Sequence, residues 1–166
     1  MLITVDTREQ RAYRFRNVKP HKDAQGFRLE HSALPVADYG TRRKGGEEGV
    51  RWRDLSEEQK LLAALVERKS LADLYGTLAK KHESFAMQLE RMSRYGFAAV
   101  VIEATLEQIM HPNDHLRHST KLHPKSVFAS MIAWEQRYGV HFHPCPGRDV
   151  AEAVTYRILE RWWRDG

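Results

Sequence analysis

The sequence predicts an α/β protein, because strand-like and helical patterns alternate along much of its length. Residues 97–102 form a continuous apolar run that ends at Glu103, which is typical of an interior strand covered on both faces. Before and after that run, apolar residues recur every three or four positions, which predicts amphipathic helices. We therefore expect a sheet with helices packed against it.

Composition limits the classes of partner. The chain has 166 residues and a formal net charge of +5, which favours polyanions. Nucleic acid is favoured over an anionic membrane, because there is no long basic amphipathic helix. No apolar run approaches the roughly 20 residues of a membrane span, and the N-terminus lacks a signal-peptide pattern. We expect an intracellular protein of the cytoplasm, nucleoid or nucleus, not secreted, with one domain over residues 1–166.

The first third of the chain predicts short strands separated by loops. Residues 2–6 and 27–31 have strand patterns, and residues 34–40 place Asp38 between apolar neighbours and a turn-forming glycine. Residues 41–59 predict a long mobile basic loop in which Asp54 or Ser56 caps a helical turn. Trp52 in this loop is a candidate to stack on an unpaired base, and a merely solvated loop is the alternative.

The central third is predicted to contain a strand followed by two helices. An apolar run leads into a strand over residues 62–69, and Ser70 then has the features of an N-cap with Asp73 three residues later. Helical periodicity predicts helices over residues 71–81 and 83–95, the second ending at Gly96.

The last third predicts a helix that ends at Gly139, a short strand over residues 140–143, and a final helix over residues 148–164. We expect the final helix to bury one apolar stripe, made of Val150, Val154, Ile158 and Trp162. Trp163 lies off that stripe, which indicates a second packing surface such as a dimer interface.

The sequence pattern that most strongly indicates catalysis lies at the end of the strand over residues 62–69. Because side chains alternate along a strand, Glu67 and Lys69 share one face and Arg68 occupies the other. A carboxylate beside an ammonium suits phosphodiester hydrolysis, since the carboxylate can hold a hard cation while the lysine stabilises an attacking water or phosphoryl oxygens. In isolation, the pair is more simply a surface ion pair.

Acidic side chains also follow two other predicted strands: Asp6 with Glu9 follows the first, and Asp38 lies beside a later one. Neighbouring strands that end at one sheet edge would gather these acids beside Lys69. Clustered carboxylates repel one another unless a cation neutralises them, and oxygen ligands favour Mg²⁺ or Mn²⁺. The sequence therefore predicts a metal site.

Histidines offer a second candidate metal site. Four of them lie within residues 111–123, and His141, His143 and Cys145 alternate near a predicted edge strand. Zinc is the specific hypothesis, but the usual structural ligand spacings are absent. A basic loop near DNA or near a subunit interface is the alternative for the first group, and ordinary edge-strand alternation for the second.

At these residues the chain resembles the nuclease domain of the XPF family of structure-specific endonucleases. The resemblance is carried by residues 5–9, 37–39 and 66–73, where Glu67-Arg68-Lys69 precedes Asp73 by the family's spacing, and by residues 85–92 and 102–103. It implies a restriction-endonuclease-like three-layer core, with a central mixed sheet flanked by helices. It covers residues 1–104 closely and agrees only in element order beyond.

The resemblance also implies roles for site residues. Asp38 and Glu67 would be metal ligands assisted by Asp6 or Glu9, and Lys69 would orient or activate the attacking water. Arg8 and Arg68 would hold the active-site network or the scissile phosphate, and Asp73 would brace the basic residues. The catalytic set is thus Asp6, Arg8, Glu9, Asp38, Glu67, Arg68, Lys69 and Asp73, with Asp38, Glu67 and Asp6 at the metal and no organic cofactor.

Three departures from the family pattern stand out. Ala37 replaces the usual glycine before Asp38, Ser84 replaces a common arginine before Phe85, and the gap between Asp38 and Glu67 is long. We also expect no helix-hairpin-helix module within these 166 residues.

Basic and polar side chains outside the acid cluster are candidates for DNA contact, because phosphate neutralisation dominates nucleic-acid affinity. They lie in the basic loop, on the second central helix and near the histidines: Arg42, Arg43, Lys44, Arg51, Arg53, Gln88, Arg91, Arg94 and Lys121.

The function expected from the sequence is a metal-dependent DNA endonuclease, a hydrolase acting near flaps, forks or other branched DNA in repair or recombination. A catalytically silent DNA- or partner-binding module and a restriction-like exonuclease are the alternatives. Expected partners are DNA, a second copy in a homodimer, or a separate DNA-binding protein, with no membrane partner.

Overall fold

A mixed sheet organises the protein. The computed structural model describes residues 1–20, 26–44 and 50–165. Its elements run in this order: β1 Leu2–Asp6, β2 Arg28–Ser32, β3 Tyr39–Thr41, a 3-10 turn Trp52–Asp54, α1 Glu57–Leu61, β4 Ala64–Lys69, α2 Leu71–Lys80, α3 His82–Met92, β5 Phe97–Ile102, α4 Leu106–Met110, a 3-10 turn Pro112–Asp114, α5 Pro124–Tyr138, β6 His141–Pro144 and α6 Arg148–Arg164.

Strand direction decides which side chains meet. Across the described residues, the six strands lie in the order β2-β1-β3-β4-β5-β6. β1 runs parallel to β2, and β4, β5 and β6 run parallel to one another, whereas β3 is antiparallel to both of its neighbours. All strands except β3 therefore end at one edge of the sheet, and β3 begins there.

Each face of the sheet carries a core. On one face, α2, α3 and α5 contribute Leu74, Leu89 and Trp134 to a cluster with Leu65 of β4. On the other, Tyr156 and Leu159 of α6 pack with the side chains of β1 and with the loop that follows it. This is the α/β fold of a mixed sheet flanked by helices that the sequence predicts.

The apolar run before the candidate site is divided between two elements. Ser56 caps α1 with a capping box that includes Gln59, so Leu61 belongs to the helix and Leu62 is 61% exposed. β4 consequently starts at Ala64, two residues later than predicted. The predicted alternation is confirmed, since Leu65 faces one core and Val66 the other.

The predicted end of the second central helix needs correction. α3 ends at Met92 with Ser93 as its C-cap, so Gly96 does not terminate it. A Cβ at Gly96 would lie 2.6 Å from Cζ2 of Trp162, so the glycine is required by packing of α6. By contrast, the predicted stop at Gly139 is confirmed, with φ of +65° in the left-handed region.

The buried face of α6 is rotated from the predicted one. Val150 is 41% exposed, while Ala151, Tyr156 and Leu159 are buried. The other predicted stripe residues, Val154, Ile158 and Trp162, are half-buried against this core. The face is rotated because α6 also buries Thr155 and Glu160, the latter paired with Arg157 and Tyr156. No helix within the described residues combines the length and apolar character needed to cross a membrane.

The tryptophans at the end of α6 contact the chain itself. The Arg43 guanidinium lies 4.1 Å from the ring centroid of Trp162, and the Lys44 amide donates a 2.9 Å hydrogen bond to the Trp163 carbonyl. The second packing surface inferred for Trp163 is therefore at least partly intramolecular, and the dimer stays a prediction.

Candidate active site

Four acidic side chains lie at one edge of the sheet. Asp6 ends β1, Glu67 lies near the end of β4, and Glu103 follows β5 directly. Asp38 joins them from the opposite direction, because it precedes β3, which begins at this edge. The antiparallel course of β3 thus places Asp38 between the ends of two strands that are far apart in sequence.

Backbone hydrogen bonds hold Asp38 in place. Its amide donates to the Val66 carbonyl at 3.1 Å, and its carbonyl accepts from the Asp6 amide at 2.8 Å. The Arg68 amide donates a 2.7 Å hydrogen bond to Oδ2 of its carboxylate. The carboxylate is therefore positioned by the main chain of β4, independently of flexible side chains.

Nearby cations do not offset the cost of a charge at Asp38. Burial and then the negative charge of Glu67 raise the pKa of Asp38 to about 8, although the hydrogen bond from the Arg68 amide opposes this shift. Within residues 1–20, 26–44 and 50–165, no Lys or Arg side chain lies within 4.0 Å of its carboxylate. A bound cation would relieve this electrostatic cost.

Lys69 is held beside the acids. Its Nζ lies 2.7 Å from Oε1 of Glu67 and 4.9 Å from the ring centroid of Phe85 on α3. Glu67 is 8% exposed at its side chain and Lys69 14%. The lysine is thus nearly enclosed, with its ammonium between a carboxylate and an aromatic face.

Asp6 is engaged by Arg8. The arginine donates from Nε at 2.9 Å to Oδ1 and from Nη2 at 2.6 Å to Oδ2 of Asp6, and the Leu34 amide adds a 2.9 Å bond to Oδ2. Burial raises the pKa of Asp6, but these hydrogen bonds outweigh it and leave the pKa below its ordinary value. Asp6 is therefore neutralised within the chain, unlike Asp38.

Arg68 points away from Glu67 and Lys69, as the strand period predicts. Its Nε lies 2.9 Å from Oε1 of Glu103, and its Nη1 lies 3.9 Å from Oε2 of Glu9. Burial lowers the pKa of Arg68, but the charges of Glu103 and Glu9 outweigh it and raise that pKa. Arg68 therefore links Glu9 of the candidate site to a second charged cluster on the α6 face.

Three residues of that second cluster were absent from the predicted site set. The Tyr13 hydroxyl donates to Oε1 of Glu103 at 3.0 Å, and the Arg148 Nη1 donates to the same oxygen at 3.0 Å. Glu103 could have been predicted as a site residue, since it follows an interior strand directly. Tyr13 and Arg148 could not have been, because only the fold brings residues 13, 103 and 148 together.

The donor set at Asp38 and Glu67 fits a hard divalent cation. In the described ranges, no three His, Cys, Asp or Glu side chains converge on a point that could hold a metal ion. The histidines of residues 111–123 therefore do not form such a group either. Two neighbouring carboxylates are nevertheless a usual protein contribution to Mg²⁺, which keeps waters and binds substrate phosphates. The raised pKa of Asp38 means that the charged carboxylate is destabilised without a cation, so the pair suits this mode.

Asp73 has structural contacts. Its amide donates to the Ser70 Oγ at 3.1 Å and its Oδ2 accepts from the Ser70 amide at 3.3 Å, which completes a capping box at the start of α2. The bracing role implied for this residue stays a prediction.

The DNA-contact candidates divide between two edges of the sheet. Arg91 of α3 donates to the Pro35 carbonyl in the loop that leads to Asp38, so it lies beside the candidate site. β3 ends at Thr41, which pairs with Ala64 at the start of β4. Residues 42–44 therefore lie at the edge opposite Asp38.

The remaining DNA-contact candidates lie mostly on the surface. Arg53 lies 3.8 Å from Asp54, and Arg51, Arg94 and Lys121 are exposed, while Gln88 is half-buried on α3. Their roles stay predictions. Residues 45–49 of the expected mobile loop lie outside the described residues.

The stacking role considered for Trp52 is wrong. The side chain is 4% exposed and belongs to the core cluster on the α2 face. Its amide donates to Oε1 of Glu30 at 2.8 Å, which fixes the 3-10 turn against β2. The glycines and charges around Trp52 indicated a loop, but the indole is buried as a core residue.

The comparison with protein families decides the class. A model of the ERCC4 domain matches residues 5–157, which is most of the chain. The chain belongs to the ERCC4 domain family. This confirms the resemblance to XPF-type nuclease domains.

Solved structures agree on the fold. The chain is similar to XPF from Aeropyrum pernix, with a TM-score of 0.58 and 17% identity over 98% of this chain. A second structure, XPF from Aeropyrum pernix in complex with DNA, matches 96% of the chain with a TM-score of 0.56 and 18% identity. The matched region is 63% of the length of each of those chains. No curated protein sequence matches significantly.

Proposed function

We propose that this ERCC4 domain is a metal-dependent DNA endonuclease that hydrolyses phosphodiester bonds near flaps, forks or other branched DNA. The observation that carries the proposal is the pairing of Asp38 with Glu67 beside the enclosed Lys69. Two neighbouring carboxylates can bind a divalent cation, and the adjacent ammonium can stabilise negative charge on the phosphate. These are the components that hydrolysis of a phosphodiester requires.

Asp38 and Glu67 would hold Mg²⁺ or Mn²⁺. The ion would lower the pKa of a bound water and neutralise charge that develops on the phosphoryl oxygens. Asp6 stays outside this ligand pair, because Arg8 already occupies both of its carboxylate oxygens.

The basic residues would act on the phosphate and the water. Lys69 lies close enough to Glu67 to orient a water there or to stabilise a phosphoryl oxygen. The side chain of Arg8 is 68% exposed, so its guanidinium can also meet a DNA phosphate. Arg68 would be a positioning residue. Its amide holds the Asp38 carboxylate, and its side chain is buried among carboxylates and would not contact the phosphate.

Two further elements of the proposal concern organisation. Residues 1–166 would form one nuclease domain, and recognition of branched DNA would involve a second copy of the chain or a separate DNA-binding protein. Support for DNA as the partner comes from the net charge of +5 and from the similar Aeropyrum structure solved with DNA.

Cleavage of labelled DNA tests the proposal. Flap, fork, single-stranded and duplex substrates are incubated with Mg²⁺, Mn²⁺ or EDTA, using the wild type, Asp38→Asn and the matched control Asp114→Asn in an exposed turn. We expect internal cuts in branched DNA that require both metal and Asp38. Equal cutting by the Asp38→Asn variant would refute the site.

Other outcomes separate the alternatives. Release of short nucleotides from an end would identify an exonuclease. Binding of branched DNA without any cut, in the presence of metal and a candidate partner, would identify a silent binding module.

A further inference from the structure

A cavity opens beside the candidate active site on the α6 face of the sheet. Its volume is about 670 Å³, and it lies between the loop that follows β1, the outer strand β2 and the first turn of α6. Its walls include Tyr13, Leu29, His31, Glu103 and Arg148. The proposed hydrolysis uses neither this space nor most of these side chains.

The wall chemistry combines a flat cationic surface with carboxylate acceptors. The Arg148 guanidinium lies 4.7 Å from the ring centroid of Tyr13, and its side chain is 40% exposed. Hydrogen bonds from Tyr13, Arg68 and Arg148 all reach Oε1 of Glu103. A carboxylate accepts at both oxygens, so Oε2 of Glu103 can accept from a ligand.

This arrangement suits a base better than a phosphate. Arg68 and Arg148 also line the cavity, but both are already paired with Glu103, and Glu9 adds a further negative charge, so this part of the cavity offers little unpaired positive charge to a phosphate group. A nucleobase can stack on an arginine plane and against apolar groups such as Leu29, and it can donate from its amino group to a carboxylate. Arg11 and Arg14, which line the cavity and are exposed, supply positive charge for the flanking phosphates.

The geometry points to a subsite for one unpaired base of single-stranded DNA, formed by Tyr13, Leu29, His31, Glu103 and Arg148. This inference rests on the proposed function for its choice of DNA as the ligand. Arg68 joins the two sites, since its side chain lines the cavity while its amide donates to Asp38. The cavity and Glu67 lie on opposite faces of the sheet, so a strand with one base in the cavity would cross the sheet edge at Arg68 to bring its backbone to Asp38 and Glu67.

Binding of matched oligonucleotides tests the subsite without any cleavage. Fluorescence anisotropy in EDTA compares single-stranded hexadeoxycytidylate with a hexamer of abasic residues, which has the same phosphates and no bases. We expect the wild type to bind the cytidine oligomer roughly tenfold more tightly, as for a stacked base. The double variant Leu29→Ala/His31→Ala should reduce that ratio below about threefold.

The control is Arg28→Ala. Arg28 lies on the same outer strand, but its side chain alternates to the face opposite Leu29 and His31. We expect the variant to keep the wild-type ratio, although it removes a positive charge. Backbone amide resonances of Ala12, Leu29 and Arg148 should shift with the cytidine oligomer and stay in place with the abasic one.

Equal affinity of the wild type for the two oligomers would overturn the subsite. A ratio that survives the double variant, with resonance shifts confined to other surfaces, would overturn it as well. These outcomes are independent of the cleavage assay. Branched DNA that is cut by a protein with no base-dependent binding leaves the nuclease proposal intact, whereas base-dependent binding without any cut removes only the nuclease proposal.

Discussion

The amide of Arg68 donates a 2.7 Å hydrogen bond to the carboxylate of Asp38, so main chain from β4 fixes an acid that the sequence places 30 residues earlier. The same carboxylate is buried near Glu67 and has a raised pKa. The carboxylate is thus held in place, and its charged form is destabilised until a cation binds. These are the two properties expected of a preorganised cation ligand.

Removing either proposed ligand should abolish cleavage without unfolding the protein. We expect Asp38→Asn and Glu67→Gln to lower the cleavage rate roughly 10³-fold or more, because residues that act as one unit fail together. Circular dichroism should show unchanged secondary structure. Activity within tenfold of the wild type in either variant would contradict the ligand assignment.

The raised pKa of Asp38 predicts that stability depends on pH. A carboxyl whose folded pKa is above its unfolded value of 3.8 stabilises the fold at low pH, and this contribution is lost as the pH rises towards 8. Without metal, we expect the free energy of unfolding of the wild type to fall between pH 5 and pH 8.5 by roughly 1–3 kcal/mol more than that of the Asp38→Asn variant. Denaturant titrations at both pH values measure this difference.

Metal should reverse that loss. Mg²⁺ added at pH 8.5 is expected to raise the melting temperature of the wild type and to leave that of Asp38→Asn almost unchanged, since binding to the folded state stabilises it. The exposed-acid variant Asp114→Asn serves as the control and should respond like the wild type. An equal response of the wild type and Asp38→Asn would place the ion elsewhere.

Asp6 should behave in the opposite way to Asp38. Its carboxylate accepts from Arg8 and from the Leu34 amide, so we expect Asp6→Asn to lower the free energy of unfolding by about 2 kcal/mol at pH 7. The pKa of Asp6 is lowered, so this contribution is present above its ordinary pKa and is lost as the pH falls below it. A stabilised Asp6→Asn variant at pH 7 would show that Asp6 is an unsatisfied ligand like Asp38.

Ala37 has a φ of +70°, a left-handed conformation that costs an alanine about 1 kcal/mol. We expect Ala37→Gly to raise the free energy of unfolding by up to about 1 kcal/mol. The matched change Ala151→Gly, at the fourth residue of α6 where φ is helical, should lower it by about 1 kcal/mol. Thermal unfolding of both variants tests the sign, and destabilisation by Ala37→Gly would show that its buried methyl group outweighs the backbone strain.

Basic residues at the two edges of the sheet should contribute unequally to binding at the site. We expect Arg91→Ala to reduce the slope of log affinity against log salt concentration by about 0.9, as for one lost phosphate contact. Arg43→Ala should change that slope little, because its guanidinium packs on Trp162 at the opposite edge. Anisotropy titrations of duplex DNA at several salt concentrations measure both slopes, and equal slopes for the two variants would contradict this division.

Local signals in the sequence determined the elements and most of the acids. The capping box at Ser70 and the strand period that separates Arg68 from Glu67 and Lys69 are set by neighbouring residues, so each was predictable without the fold. The Glu-Arg-Lys block likewise identified the family before any comparison.

Only the tertiary structure decided what each acid contacts. Asp6 and Asp38 look alike in sequence, yet one is paired with Arg8 and the other lies buried beside Glu67, because pairing depends on strand order and direction. The antiparallel course of β3 and the position of α6 bring together distant groups, such as Arg11 and Arg148, which are 137 residues apart. Contacts over such separations are set by packing, which periodicity along the chain does not encode.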